Sequence, residues 1–352
     1  MKKYYSLFLL TAAATILTGC NDKGGDTSAS TPAEKTDPES ISFSWQAPYE
    51  EKINEFKGSD SYTETSAFDI IDVSGDKTPE LIISPGNEAT AKCRIYTYKD
   101  DAVSELGEIG NFGTFSYCPE TNVIKDEFVG NGFILGKIYS LKTFPLNTLL
   151  SYSDNSDSAS MGGEIYHEIN GVHVSLAEYE EAIAPYSALN TIEVGRRFTM
   201  GDNAINYGLR YSESWSAVLD KDQKKLCKEK LEAELALAQE EGRNGAFDFC
   251  DLNGDKTPEL IISAGNVPEA VCTVYYFSSG QLVQMEGTYG VNGALSFDTE
   301  QYIFFNDNGA ESKYWSIANS AFSANEYKKS DSITSTGRKY PLNESGISAV
   351  FG

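Results

Sequence analysis

Histidine is almost missing from this 352-residue chain, which has two, His167 and His173. Both flank Asn170-Gly171, the strongest short hairpin signal. A two-residue loop sets Glu168 opposite His173 and His167 opposite Val174, so the imidazoles point to opposite faces and share no metal. There is no Gly-x-Ser-x-Gly elbow, no His-Glu-x-x-His and no phosphate loop. Gly130, Gly132, Gly136 and Lys137 have the wrong spacing, and Ile138 stands where Ser or Thr is needed. No motif therefore supports nucleophilic, zinc-dependent or phosphoryl-transfer chemistry. Carboxylate pairs for glycan hydrolysis stay open, because 52 acids are present and nothing selects two of them.

Positive charge is also scarce: 28 Lys and Arg against 52 acids give a formal charge of −24. Nucleic-acid phosphates and anionic headgroups would be repelled, and cations are the favoured partners. Long apolar runs are lacking too, since nothing after the N-terminal segment approaches the eighteen or so residues of a membrane helix. That segment, residues 1–19, reads as a signal peptide in which Lys2 and Lys3 precede an apolar run from Tyr4 to Leu17. Its end, Leu17-Thr18-Gly19-Cys20, resembles the lipobox of bacterial lipoprotein precursors. The resemblance implies cleavage before Cys20, acylation of that residue, and a place in the cell envelope on either the outer or the cytoplasmic membrane. Two or more acyl chains anchor a protein stably. Residues 20–40 are polar and rich in Ser, Thr, Gly and Pro, a flexible tether with a reach of about 25 Å.

What is present is a repeat. Phe68–Asn87 reads FDIIDVSGDKTPELIISPGN and Phe247–Asn266 reads FDFCDLNGDKTPELIISAGN. Each predicts a strand, an acidic turn and a second strand starting at Glu80 or Glu259. Tyr166–Tyr179 aligns without gaps on Tyr314–Tyr327, repeating a capping box at Ser175/Glu178 and Ser323/Glu326, and Gly195-Arg196-Arg197-Phe198 answers Gly337-Arg338-Lys339-Tyr340. The predicted fold class is α+β: two tandem modules, 41–210 and 211–352, each an N-terminal helix followed by an antiparallel β-meander. In the first, Pro48 opens a helix whose Tyr49, Ile53 and Phe56 share a face. In the second, Cys227, Leu231, Leu235 and Ala238 line a longer helix running from Trp215. A Ser- and Asp-rich insertion is expected around Ser151–Ser160. The exported setting suits disulfides, with Cys93–Cys118 and Cys272 to Cys250 or Cys227 as natural pairs, and buried free thiols as the alternative.

The repeated turn places Asp72, Ser74, Asp76, Thr78 and Glu80 at positions 1, 3, 5, 7 and 9 of a loop, and Asp251, Asn253, Asp255, Thr257 and Glu259 at the same positions of the second. Position 7 offers a carbonyl and the others side-chain oxygens, a hard donor set that suits Ca²⁺. A plain Gly-containing turn has no need of acids at 1, 5 and 9. Asp69 and Asp248, just upstream, read as exposed strand residues, with support of the metal ligands from behind as the alternative. The loops resemble those of EF-hand-like, dockerin and FG-GAP-type calcium repeats, and the DLNGDKTPEL wording resembles repeats of secreted bacterial lipoproteins. They depart from the EF-hand pattern at position 6, where Lys77 and Lys256 replace Gly, and at position 12, where Ile83 and Ile262 replace a bidentate Glu. The resemblance implies two structural Ca²⁺ sites of weak affinity in a protein with a binding or scaffolding role. Its partners would be the membrane, through the lipid anchor, and an unidentified protein or glycan. A glycan hydrolase and a metal-free scaffold are the alternatives.

Overall fold

Apolar residues at helical spacing build α1 (Gln46–Lys57), which buries Tyr49, Ile53 and Phe56 and stops at Gly58. The computed structural model describes residues 41–130, 132–141, 146–156, 165–187, 189–213, 215–265, 270–306, 313–317, 319–322 and 327–352. The signal segment, the tether with Cys20, Asn266, and the second capping-box pair Ser323 and Glu326 lie outside the described residues.

The first acidic hairpin is β1 (Ala67–Ile71) and β2 (Glu80–Ser84). The meander continues through β3 (Cys93–Lys99), β4 (Ala102–Ile109), β5 (Phe115–Cys118), β6 (Val123–Gly130), β7 (Phe133–Ser140) and β8 (Asn147–Asp154). In the hairpin β9 (His167–Ile169) and β10 (Val172–Val174), His173 stands opposite Glu168 and Val174 opposite His167, the predicted register. Ser175 and Glu178 exchange hydrogen bonds ahead of α2 (Leu176–Ser187). Then come β11 (Ile192–Val194), β12 (Phe198–Thr199) and α3 (Asp202–Tyr211).

The single helix expected from Trp215 is two, α4 (Trp215–Val218) and α5 (Lys221–Glu241). Asp220 forms a capping box with Gln223 and starts a new helix there. The second acidic hairpin is β13 (Ala246–Cys250) and β14 (Glu259–Ser263). After it run β15 (Cys272–Ser278), β16 (Gln281–Gln284), β17 (Leu295–Asp298), β18 (Ile303–Asn306), β19 (Lys313–Ser316), β20 (Asn319–Phe322), β21 (Ile333–Thr336), β22 (Tyr340–Pro341) and α6 (Glu344–Phe351). The fold is mixed and mostly β, in three antiparallel sheets. Their orders are β20-β19-β18-β17-β21-β12-β1-β2-β3-β4, β10-β9-β8-β7-β6-β5-β11, and β16-β15-β14-β13-β22.

Repeated words take repeated pairings. Ile71 faces Glu80 as Cys250 faces Glu259, β12 closes on β1 as β22 closes on β13, and β11 closes on β5 as β21 closes on β17. The insertion is wider than expected. β18 pairs directly with β19, whereas β7 and β8 stand between β6 and β9, so Ser151–Asp154 is strand. Cross-pairing of Phe198 with Thr334 then fuses strands of both halves into the ten-stranded sheet, and residues 41–352 fall in one compact unit. One hydrophobic core also includes residues of both halves, and Tyr207 of the first packs on Phe297 of the second at 5.8 Å.

Asp69 and Asp248 are not exposed. Each is buried in mid-strand, 5% and 1% accessible. Asp69 accepts from the Ile70 and Gly195 amides, and Asp248 from the Phe249 and Gly337 amides and the Thr336 hydroxyl. Asp248 also pairs with Arg197 of the other half at 2.8 Å. Burial holds the Asp69 carboxyl above the usual range, against the pull of Arg197. The expected disulfides are not formed: all five described cysteines are buried free thiols. Cys93 and Cys272 instead donate to the Gly113 and Gly293 carbonyls, and Cys250 contacts the Tyr207 hydroxyl. Asp248→Asn leaves Arg197 buried beside a neutral partner and is expected to cost about 3–5 kcal/mol in urea denaturation. Asp69→Asn loses an amide contact and should cost about 1–2 kcal/mol in the same measurement.

Candidate functional site

Both acidic loops turn through a left-handed pair of positions, one of them non-glycine. Gly75 and Gly254 have φ of 78° and 76°, and Lys77 and Lys256 have φ of 75° and 65°. Lysine therefore adopts the backbone that the EF-hand pattern reserves for glycine, at a conformational cost of about 1–2 kcal/mol. The first aspartate holds that shape in place. Asp72 accepts from the Gly75 and Lys77 amides at 2.6 and 2.9 Å, and Asp251 from the Gly254 and Lys256 amides at 2.7 and 3.0 Å. Asp76 and Asp255 accept from the amides of Thr78 and Thr257.

The glutamate at position 9 is the buried member, 0% accessible at Glu80 and 2% at Glu259. The Val73 and Ser74 amides donate to Glu80 Oε2 at 3.0 and 3.2 Å, and Thr97 Oγ1 to Oε1 at 3.1 Å. In the second loop, Leu252 N–H donates to Glu259 at 2.7 Å. Asn253 Nδ2 spans Glu259 at 3.0 Å and Asp255 at 3.3 Å, so positions 3, 5 and 9 meet. In the first loop Ser74 Oγ reaches Asp72 at 3.4 Å, which joins positions 1 and 3.

Three tyrosines fix the loops from outside. Tyr49 on α1 donates to the Pro79 carbonyl at 2.7 Å, and Tyr117 on β5 to the Asp72 carbonyl at 3.4 Å. Tyr207 on α3, from the first half, accepts from Asp251 N–H at 3.0 Å. No local sequence signal marks Tyr207, because its role is set by packing between the halves.

Among the described residues no three His, Cys, Asp or Glu side chains form a ready metal-ligand group, because the carboxylates are turned to loop amides. The donors still fit a hard cation: each loop carries three carboxylates and none forms an ion pair with another described residue. Burial, and then the charge of Asp72, pushes the Glu80 carboxyl up to about 8. Burial also raises Asp251, and it raises Glu259 well above the ordinary range. A bound cation would reverse that push and hold the carboxylates ionised.

A second feature is a groove of about 490 Å³ on one face of the seven-stranded sheet, created by the inserted β7–β8 hairpin. Asp126 stands opposite Lys137, Phe128 opposite Leu135, and Ser153 opposite Glu168, all lining it. Phe128 stacks on Phe112, which is 46% exposed. His173 and His167 stay apart, paired with Glu168 and Asp154 respectively.

Compared with protein-family models, curated proteins and solved structures, the chain matches none of them.

In calcium-free protein Glu80 keeps its proton in the folded state to about pH 8, while the unfolded carboxyl loses it near pH 4.3. Its contribution is complete below the unfolded value and is lost as pH rises through about 8. Thermal unfolding from pH 5 to 9 is expected to show this as a Tm decline that is smaller in Glu80→Gln.

Proposed function

We propose that this protein is a lipid-anchored component of the bacterial cell envelope, built of two tandem modules. Each module is a helix followed by a β-meander, stabilised by Ca²⁺ in its acidic loop, and the whole serves binding or scaffolding. The observation that carries the metal reading is the buried Glu80 and Glu259, each sealed beside two further acids that form no ion pair with another described residue. Asp72, Ser74, Asp76, Thr78 and Glu80 would hold one ion, and Asp251, Asn253, Asp255, Thr257 and Glu259 the other. The ion would neutralise the loop and lock the hairpin. The matched loop backbones and pairing registers support the tandem reading, and residues 17–20 support the anchor at Cys20. No helix among the described residues is long and apolar enough to cross a membrane.

The groove supports a second reading, in which the partner is a glycan whose apolar face rests on Phe128 while its hydroxyls meet Asp126, Lys137 and Glu168. Hydrolysis fits that groove poorly. Asp126 and Glu168 lie three strands apart, about 14 Å, against roughly 5–10 Å for paired glycosidase carboxylates. Glu108 is engaged by Arg94 at 2.8 Å.

Calorimetric titration of residues 41–352 with Ca²⁺ is expected to give Kd values of about 10⁻⁴ to 10⁻³ M. At 10 mM that corresponds to about 1.4–2.7 kcal/mol of stabilisation per site. Asp72→Ala with Asp251→Ala should abolish it. A chain that gains no stability from millimolar Ca²⁺ leaves the metal-free scaffold as the surviving reading. For the anchor, Cys20→Ala should release the protein from membranes into the soluble fraction, and persistent membrane association would refute acylation there.

A further inference from the structure

Arg196 and Arg338 occupy the same place in the two repeats, and both line one cavity of about 60 Å³ at the seam between the halves. The seam is unevenly closed. Phe198 on β12 pairs with Thr334 on β21, but the corresponding partners, Tyr340 on β22 and Ile192 on β11, form no pair and belong to different sheets. The cavity sits where that pair is missing, with Ile192 in its wall, and a neighbouring gap of about 70 Å³ is lined by Ile192, Gly245 and Arg338.

Four cationic side chains line it, Arg196, Arg197, Arg338 and Lys339, with the acids Asp69, Glu193 and Asp248 among them. Asp248 is taken by Arg197 at 2.8 Å and Lys339 by Glu213 at 2.7 Å, and the Asp69 carboxyl is held by the Ile70 and Gly195 amides. That leaves Arg196 and Arg338 facing the exposed Glu193. A chain of formal charge −24 thus gathers four cationic side chains around one partly enclosed space. Two donors are also unmet: Arg196 Nη1 and Arg197 Nε are buried with no hydrogen-bond partner, and the Arg197 side chain is only 10% accessible. Burial lowers the Arg196 pKa, and the nearby Cys93 and Glu193 offset this only in part. Arg338 gives Nη1 to the Asn292 carbonyl at 3.3 Å and has further donors to offer.

We infer that this cavity binds a single oxyanion group between Arg196 and Arg338, either free phosphate or the carboxylate of a small ligand. Guanidinium forks match the paired oxygens of both groups, and a buried donor without a partner is costly until one arrives. A water needs about 10–15 Å³ on the same measure, so the space admits a few waters or one such head. Binding would tie β11 to β22 across the open side of the seam and so brace the halves against each other. The site shares no residue with the acidic loops, and its occupancy does not depend on calcium there.

The full chain in calcium-depleted buffer is the material for the test. Thermal unfolding is followed against sodium phosphate and, separately, sodium acetate, each compared with sodium chloride at equal ionic strength. A saturable rise in Tm with phosphate alone identifies the free anion, and one with acetate as well identifies the carboxylate-type ligand. Either should vanish in Arg196→Gln/Arg338→Gln and persist in Arg94→Gln, whose arginine pairs with Glu108 elsewhere. If the double variant does not fold, phenylglyoxal labelling of the unaltered chain decides: the effective anion should slow modification of Arg196 and Arg338 severalfold and leave Arg94 unaffected. No response beyond chloride, or a response that survives the double variant or spares neither arginine, overturns the proposal.

Discussion

A carboxylate in the middle of a buried strand is costly unless hydrogen bonds and an opposite charge hold it, and this chain accepts that cost twice, at Asp69 and Asp248. Each aspartate gathers the amide of the turn that precedes the closing strand, at Gly195 in one half and Gly337 in the other. In each half the acidic hairpin is thereby clamped to a strand more than 80 residues away in sequence. The Arg197–Asp248 pair then carries the clamp from one half to the other, beside the Phe198–Thr334 pairing that joins their sheets. Removing either charge would strand the other in a low-dielectric interior, so the arrangement enforces one relative placement of the hairpins.

The acidic loops inherit their geometry from this frame. β1 and β13 carry the clamp at their middle and deliver Asp72 and Asp251 to the turn, while β2 and β14 start from the buried Glu80 and Glu259. Between them the chain turns left-handed at a lysine, and its amides close on the first aspartate. The loop thus stores two unfavourable terms, a strained lysine and a buried glutamate, both of which a divalent cation at its centre would offset. The same strain accounts for the upward shift of Glu80, since burial beside Asp72 disfavours a second negative charge.

The two halves have diverged where the frame permits. Between β6 and β9 the first half carries an added hairpin, which widens its second sheet and opens the groove, whereas in the second half β18 meets β19 directly. The frame itself shows no such latitude, because register along a buried strand cannot slip by one residue without turning its apolar face to water.

The repeated words, the helix faces, the His167–His173 hairpin and the acid spacing were all legible in the chain, because each depends on neighbours within about twenty residues. Asp69 and Asp248 could have been noticed as acids kept within otherwise apolar strands, but their burial is set by Gly195, Gly337 and Arg197, which are remote in sequence. The thiols show the same limit: spacing made bridges plausible, while packing put Cys93 against the Gly113 carbonyl and Cys250 against Tyr207. By itself the sequence determined the mixed class, the duplicated hairpins and the ten candidate ligand positions, since local turn chemistry and alternation suffice for those. Only the tertiary structure decided that strands of both halves share one sheet, that the clamp is buried, and that the seam stays open beside Arg196 and Arg338. Pairing between distant strands is selected by the packing of the whole core, and no local pattern encodes it.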